Sequence, residues 1–181
     1  AKSQFGFVPE TPVLYEKLTP VEFLEFFIKA YNVPDSHGYD RMNRLLDIFE
    51  LSDSRYELIE NLSGGMKKKL SLIAALIHQP KVLFLDEPTV SLDPKATRHL
   101  KDILNGMIQK GTTIFMSTHI LEIAESMCDR IGIINKGELV ALGDPASIRN
   151  ARPGRDSLES VFLDLTGNTS DAKVNDFLED R

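Results

Sequence analysis

The chain has a single cysteine, Cys128, so no internal disulfide can form and a reducing compartment is the expectation. No apolar run approaches the roughly 18 residues that a membrane-spanning helix needs. No leader with a basic start and an apolar middle is present, which points to the cytosol, with any membrane link made through a partner. Positive charge is short: 21 Lys and Arg against 27 Asp and Glu give a net charge of −6. A nucleic-acid role therefore has no electrostatic support. Repeats and low-complexity stretches are also missing. So is any Gly-x-x-x-x-Gly-Lys-[Ser/Thr], the loop whose backbone cradles nucleotide phosphates.

What is present suits one domain, with room for a subdomain. The chain has 181 residues, and 42% of them are hydrophobic, enough for a substantial core. The N-terminus, Ala1-Lys2-Ser3-Gln4-Phe5-Gly6-Phe7-Val8, lacks an initiator Met and reads as a strand already under way, so a piece of a longer protein is expected. Thr19-Pro20-Val21-Glu22 is a helix start, with Thr as cap, Pro first and Glu third. Val21, Leu24, Phe27, Ile28 and Tyr31 then share a face, and Asn32-Val33-Pro34 breaks the helix. A second helix is expected through Leu45, Leu46, Ile48 and Phe49. A third starts near Ser63 and buries Leu70, Ile73, Ala74 and Ile77.

Beyond Pro80 the pattern changes. Val82 to Leu85 is continuously apolar, as in a strand buried on both faces. Asp93-Pro94 caps a helix that Gly111 ends. Thr112 to Met116, Ile131 to Ile134 and Leu139 to Leu142 read as further strands, with a short helix over 120–127 and a turn at Asn135-Lys136-Gly137-Glu138. Alternating strands and helices imply a parallel sheet with a final antiparallel hairpin. Asp156-Ser157-Leu158-Glu159 opens a last helix, closed by Gly167, before a polar tail.

Three motifs follow in fixed order. Asn61-Leu62-Ser63-Gly64-Gly65-Met66 is a Gly-rich turn opening a helix. There the backbone can approach an anion closely, and the helix N-terminus adds free N–H groups. Val82-Leu83-Phe84-Leu85-Asp86-Glu87-Pro88 is a strand ending in two carboxylates, at the edge where open α/β sheets place ligands. Ser91-Leu92-Asp93 is a tight loop behind it, and His119 follows the next strand. Taken singly, each has a plain structural explanation: a helix cap, a turn, a core histidine. Ser63 and Asp86 stand 23 residues apart with a helix between them, which makes the combination specific. Lys67-Lys68-Lys69 reads either as a solvated face or as attraction for phosphate.

In these motifs the chain resembles the ATPase domain of ATP-binding cassette (ABC) transporters, over nearly its whole length from Phe5 to Gly167. The resemblance implies an α/β, P-loop NTPase-like parallel sheet, here only its Walker B half, with an inserted helical subdomain and a C-terminal helix. The expected division is 1–18 (Q-loop strand and linker), 19–79 (helical subdomain with the signature), 80–150 (α/β core) and 151–181 (helix and tail). It further implies ATP and Mg²⁺ as cofactors. Asp86 would hold Mg²⁺, Glu87 would polarise the attacking water, and His119 would contact the γ-phosphate. Ser63, Gly64, Gly65 and Met66 would be the signature, closing on nucleotide held by a second ATPase subunit. Asp93 would lie in the D-loop facing that subunit. Glu10 would stand in the Q-loop, as a second Mg²⁺ ligand and nucleotide contact.

Two positions depart from the family pattern: Met66 and Glu10 stand where Gln is usual. The sequence 158–167 resembles the tail of bacterial exporter-type members, of the multidrug or ABC-2 kind. The implied partners are a homo- or heterodimeric second ATPase subunit and transmembrane permease subunits, with the chain peripheral on the inner face of the membrane. Without its own phosphate loop the chain alone is expected to be a poor ATPase. A carboxylate introduced at Gly65 is expected to fill the space of the γ-phosphate. Two alternatives stay open: a non-transport ABC ATPase, and a non-catalytic regulatory or interaction module.

Overall fold

The computed structural model describes residues 2–150 and 157–167; Asp156 and the tail from 168 onward lie outside them. The chain forms two compact units, Ala1–Ser117 and Thr118–Arg181.

The first unit holds a three-stranded parallel sheet in the order β1 (Phe5–Val8), β2 (Val82–Asp86), β3 (Thr113–Ser117). Phe5 lies level with Val82, and Asp86 with Ser117. Four helices accompany the sheet: α1 (Pro20–Ala30), α2 (Asp35–Ile48), α3 (Gly64–Leu76) and α4 (Pro94–Gln109). α1 starts with the expected capping box. Thr19 Oγ1 accepts from Glu22 N–H at 3.3 Å, and the Glu22 carboxylate accepts from Thr19 N–H at 2.8 Å. Its buried stripe is Pro20, Phe23, Leu24 and Ile28: of the face expected from spacing, Leu24 and Ile28 are buried, whereas Val21, Phe27 and Tyr31 are only half-buried. Phe27 and Tyr31 instead border a surface recess.

α2 begins directly after Pro34, a full ten residues before its apolar signal at Leu45. Its first turns are polar, so periodicity could not reveal them. Ile48 is exposed, whereas Phe49, just past the helix end, is buried. α3 is the central helix of the unit: Leu70, Leu72, Ile73, Leu76 and Ile77 are fully buried. It approaches β1 so closely that a Cβ on Gly6 would stand 2.8 Å from the Ala75 carbonyl oxygen. Only glycine permits that contact.

The sheet corrects the expectation of burial on both faces. Leu83 and Leu85 are buried, but Phe5, Phe7, Phe84 and Phe115 on the opposite face are exposed, Phe115 by 64%. The rings of Phe5 and Phe84 lie 6.3 Å apart, and those of Phe84 and Phe115 6.0 Å. They form an aromatic layer that no described residue covers sufficiently to bury.

The second unit comprises α5 (Leu121–Met127), the antiparallel hairpin β4 (Ile131–Asn135) and β5 (Glu138–Gly143), α6 (Pro145–Asn150) and α7 (Leu158–Thr166). Lys136 (φ 50°) and Gly137 (φ 84°) make the two-residue turn, both in the left-handed region that such hairpins demand. Ala124, Ile131, Ile133, Ile148, Leu158 and Val161 form the core of this unit. α6 has no counterpart in the sequence reading. α7 is capped as expected, though by Ser157 paired with Ser160.

Candidate functional site

The signature turn is built by α3. Ser63 caps the helix, its hydroxyl accepting from Met66 N–H at 3.2 Å. Ser63 and Gly64 are exposed, and a Cβ on Gly64 would meet nothing within 4 Å. The turn thus presents an open backbone surface at a helix N-terminus, which suits an incoming phosphate. Gly65 is different. A Cβ there would stand 2.8 Å from the Ser91 carbonyl oxygen, so this glycine seats the signature against the loop after β2. A carboxylate at Gly65 would therefore disturb the chain's own fold before it met any ligand, which overturns Gly65 as a clean probe.

β2 carries Asp86 and Glu87 to the end of the sheet. Asp86 Oδ1 accepts from the Ser117 hydroxyl on β3, and Glu87 N–H donates to the Ser117 carbonyl at 3.0 Å. Glu87 has φ 43° and Ser91 φ 67°. Two non-glycine residues in the left-handed region within five positions store strain of about 1–3 kcal/mol each. Such strain persists only where surrounding structure imposes it, and here it turns the chain sharply at the acidic pair.

Asp93 is engaged twice within the chain. One carboxylate oxygen caps α4 by accepting from Ala96 N–H at 2.8 Å, and the other pairs with the Lys69 ammonium at 2.7 Å. The hydrogen bond from Lys69, then that from Ala96 N–H, pull its carboxyl down to about 2. A depressed carboxyl stabilises the fold above the ordinary Asp range near 4 and loses that contribution as pH falls toward 2. Asp93→Asn should therefore flatten the loss of stability between pH 4 and pH 2. Because the carboxylate is about half exposed, its cost at pH 7 should stay within about 1 kcal/mol. Urea midpoints at pH 7, 4 and 3 for the two proteins check this.

The lysine run is not a solvated face, since each lysine is engaged within the chain. Lys67 pairs with Glu16 at 2.8 Å, Lys69 with Asp93, and Lys68 is 2% exposed. The Lys68 ammonium donates to the carbonyls of Pro9 and Glu10, both at 2.9 Å, and of Asp86 at 3.2 Å. Burial pushes it below the ordinary lysine range, opposed by the nearby carboxylates of Asp86, Glu10 and Glu87. α3 thereby ties together the Glu10 loop, the end of β2 and the Asp93 loop. Glu10 itself is exposed. His119 belongs to the second unit, where Thr118 Oγ1 accepts from Ile120 N–H at 3.1 Å just beside it.

Comparison with known proteins fits this geometry. The chain is 36% identical over 167 residues to the linearmycin resistance ATP-binding protein LnrL of Bacillus subtilis, covering 92% of this chain and 53% of that protein. It is also 36% identical to the ABC-type transporter ATP-binding protein EcsA of Bacillus subtilis, covering 91% of this chain and 67% of EcsA. The chain belongs to the ATP-binding family of ABC transporters. An "AAA domain" family model, whose description also names an AbiEii toxin of a Type IV TA system, matches residues 10–125. A solved structure described as "Structure of ATP binding subunit of ABC transporter" superposes with a TM-score of 0.85 at 36% identity, over 91% of this chain and 69% of that one.

Within this ABC ATP-binding chain the α/β fold, the parallel sheet and the family resemblance stand as expected. The chain spans about half the length of LnrL. The residues present suit nucleotide and Mg²⁺. The open Ser63–Gly64 backbone can receive a phosphate, and one or two carboxylates at a strand end are what Mg²⁺ takes when phosphates and water complete its shell. Among the described residues no group of three His, Cys, Asp or Glu forms an all-protein metal cage. No described helix is long and apolar enough to cross a membrane. Sequence reasoning missed Lys68 as part of the site. A lysine in the first turns of a helix, where its charge opposes the dipole, was the only signal available.

Proposed function

We propose that this chain is the signature-and-Walker B portion of an ATP-hydrolysing subunit of a bacterial exporter-type ABC transporter. The observation that supports it most is the junction of three loops on α3: the signature turn above, the Glu10 loop and the Asp86–Glu87 strand end below. In this reading Asp86 and Glu10 hold Mg²⁺, partly through water. Bound Mg²⁺ would neutralise charge on the phosphates as the terminal bond breaks. Glu87 accepts a proton from the attacking water, His119 contacts the γ-phosphate, and Ser63 to Met66, with Asp93 beside them, close on nucleotide held by a second ATPase subunit.

In this reading the phosphate loop, absent from these 181 residues, would come from a segment outside them. The aromatic layer of Phe5, Phe7, Phe84 and Phe115 gives such a segment a seat. The rings are already about half buried, so covering them would stabilise the assembly by about 1 kcal/mol per ring. A recess of about 250 Å³ beside the Glu10 loop, lined by Phe7, Pro9, Val13, Leu14, Phe23 and Phe27, suits an apolar helix end from a permease. Through it the subunit would be peripheral on the cytoplasmic side of the membrane. LnrL is named for linearmycin resistance, and export of a comparable toxic compound is the cargo class that follows.

Calorimetry tests the split site. The 181-residue chain should show no saturable binding at micromolar ATP, and the full-length protein should bind. Tight MgATP binding by the chain alone would contradict a site that depends on a phosphate loop from elsewhere.

A further inference from the structure

Lys68 is the least expected residue of the molecule. It is a charged side chain, 2% exposed, on the helix that carries the signature turn. Its ammonium has three N–H donors, and all three point to main-chain oxygens: Pro9 and Glu10 at 2.9 Å, Asp86 at 3.2 Å. Among the described residues it has no carboxylate as ion-pair partner, whereas its neighbours Lys67 and Lys69 both have one. A buried ammonium costs several kcal/mol in desolvation, and an apolar side chain would fill the same space without that cost. The placement thus trades stability for geometry. Two segments far apart in sequence are pinned to one atom, and each bears a carboxylate on its side chain.

Resting on the function proposed above, we infer that Lys68 is a positioning residue, which fixes the backbones of Glu10 and Asp86 relative to the signature helix so that their carboxylates share one Mg²⁺·nucleotide. Lys68 touches neither nucleotide nor metal itself.

The test uses the full-length protein, with steady-state hydrolysis, metal-free ATP affinity and the Mg²⁺ dependence of nucleotide binding measured by calorimetry. Lys68→Met keeps the apolar stem and removes the donors. It should lower kcat by about 10- to 100-fold, as expected of small misplacements in a reacting geometry. The Mg²⁺ concentration for half-maximal nucleotide binding should rise severalfold, while metal-free ATP affinity changes less than about twofold. Lys68→Arg keeps the charge and N–H donors but not their convergence on one atom, so it should recover part, not all, of the kcat that Lys68→Met loses. If Lys68→Met does not fold, Lys68→Gln against Lys68→Arg carries the same comparison.

A Lys68→Met (or Gln) variant with wild-type kcat and Mg²⁺ dependence would overturn the inference. So would one in which kcat, metal-free affinity and thermal midpoint fall together, since that is a purely structural loss. Glu87→Gln, assayed alongside, separates the two levels. A normally active Glu87→Gln strikes the reading of the site, whereas an inactive Glu87→Gln beside an unaffected Lys68→Met strikes Lys68 alone.

Discussion

Glu87→Gln in the full-length protein should reduce steady-state ATP hydrolysis by about 10²- to 10⁴-fold, the usual loss when a general base is removed. Nucleotide affinity should stay within a factor of a few. The separation follows from where Glu87 sits. Its backbone is turned into the left-handed region at φ 43° and held by the bond from its N–H to Ser117 at the end of the sheet. In the function proposed above, the phosphates are cradled elsewhere, by a loop outside these residues and by the Ser63–Gly64 turn of the opposing subunit. Glutamine keeps the size and the backbone preferences, so strain and fold are unchanged. What is lost is the capacity to take a proton. A drop of that size corresponds to about 3–5 kcal/mol of transition-state stabilisation. Turnover and equilibrium binding measured on the same preparation decide it. Near-normal hydrolysis would remove Glu87 from the role.

The second large effect concerns association. In the Glu87→Gln background, MgATP should drive the full-length protein into a dimer, and adding Gly64→Asp should prevent it. Position 64 is the right probe because a side chain there meets nothing within 4 Å in its own chain. An acidic residue at the first position of α3 also agrees with the helix dipole, so the variant should fold at least as well as its parent. The cost falls only on the closed state. A carboxylate about 4 Å from a phosphate charge at an effective dielectric of 20 costs roughly 4 kcal/mol. A micromolar association supplies about 8 kcal/mol, so the dimer should weaken by about three orders of magnitude. Size-exclusion chromatography with light scattering at micromolar protein would show a monomer. A persistent ATP-dependent dimer would mean that Ser63 to Met66 do not close on nucleotide. At Gly65 the same substitution would be ambiguous, because its Cβ would collide with the Ser91 carbonyl.

Some of this was fixed locally and could be read locally. The caps at Thr19, Ser63 and Asp93 work through side chains and N–H groups three residues apart, so composition and spacing suffice to reveal them. The strand through Val82–Leu85, the acidic pair at its end and the hairpin turn at Lys136-Gly137 are equally short-range. The same short motifs, in order, carried the family.

Other features depend on what lies across the fold. The polar first turns of α2 have no periodic signal, and they are helical in front of an apolar second half that anchors them in the core. Val82–Leu85 looked buried on both faces because apolar content alone cannot say whether a second layer is present, and Phe84 and Phe115 are exposed here. Gly64 and Gly65 are identical in sequence terms; one faces open space and the other a carbonyl 2.8 Å from its would-be Cβ. Lys67, Lys68 and Lys69 read as one run of charge. Helical geometry points successive residues about 100° apart, so they reach Glu16, three main-chain carbonyls and Asp93 respectively. Sequence by itself determined the chemistry this chain carries. Only tertiary structure decided which of its charges face solvent and which hold the site together, because burial and partner choice are set by segments tens of residues away.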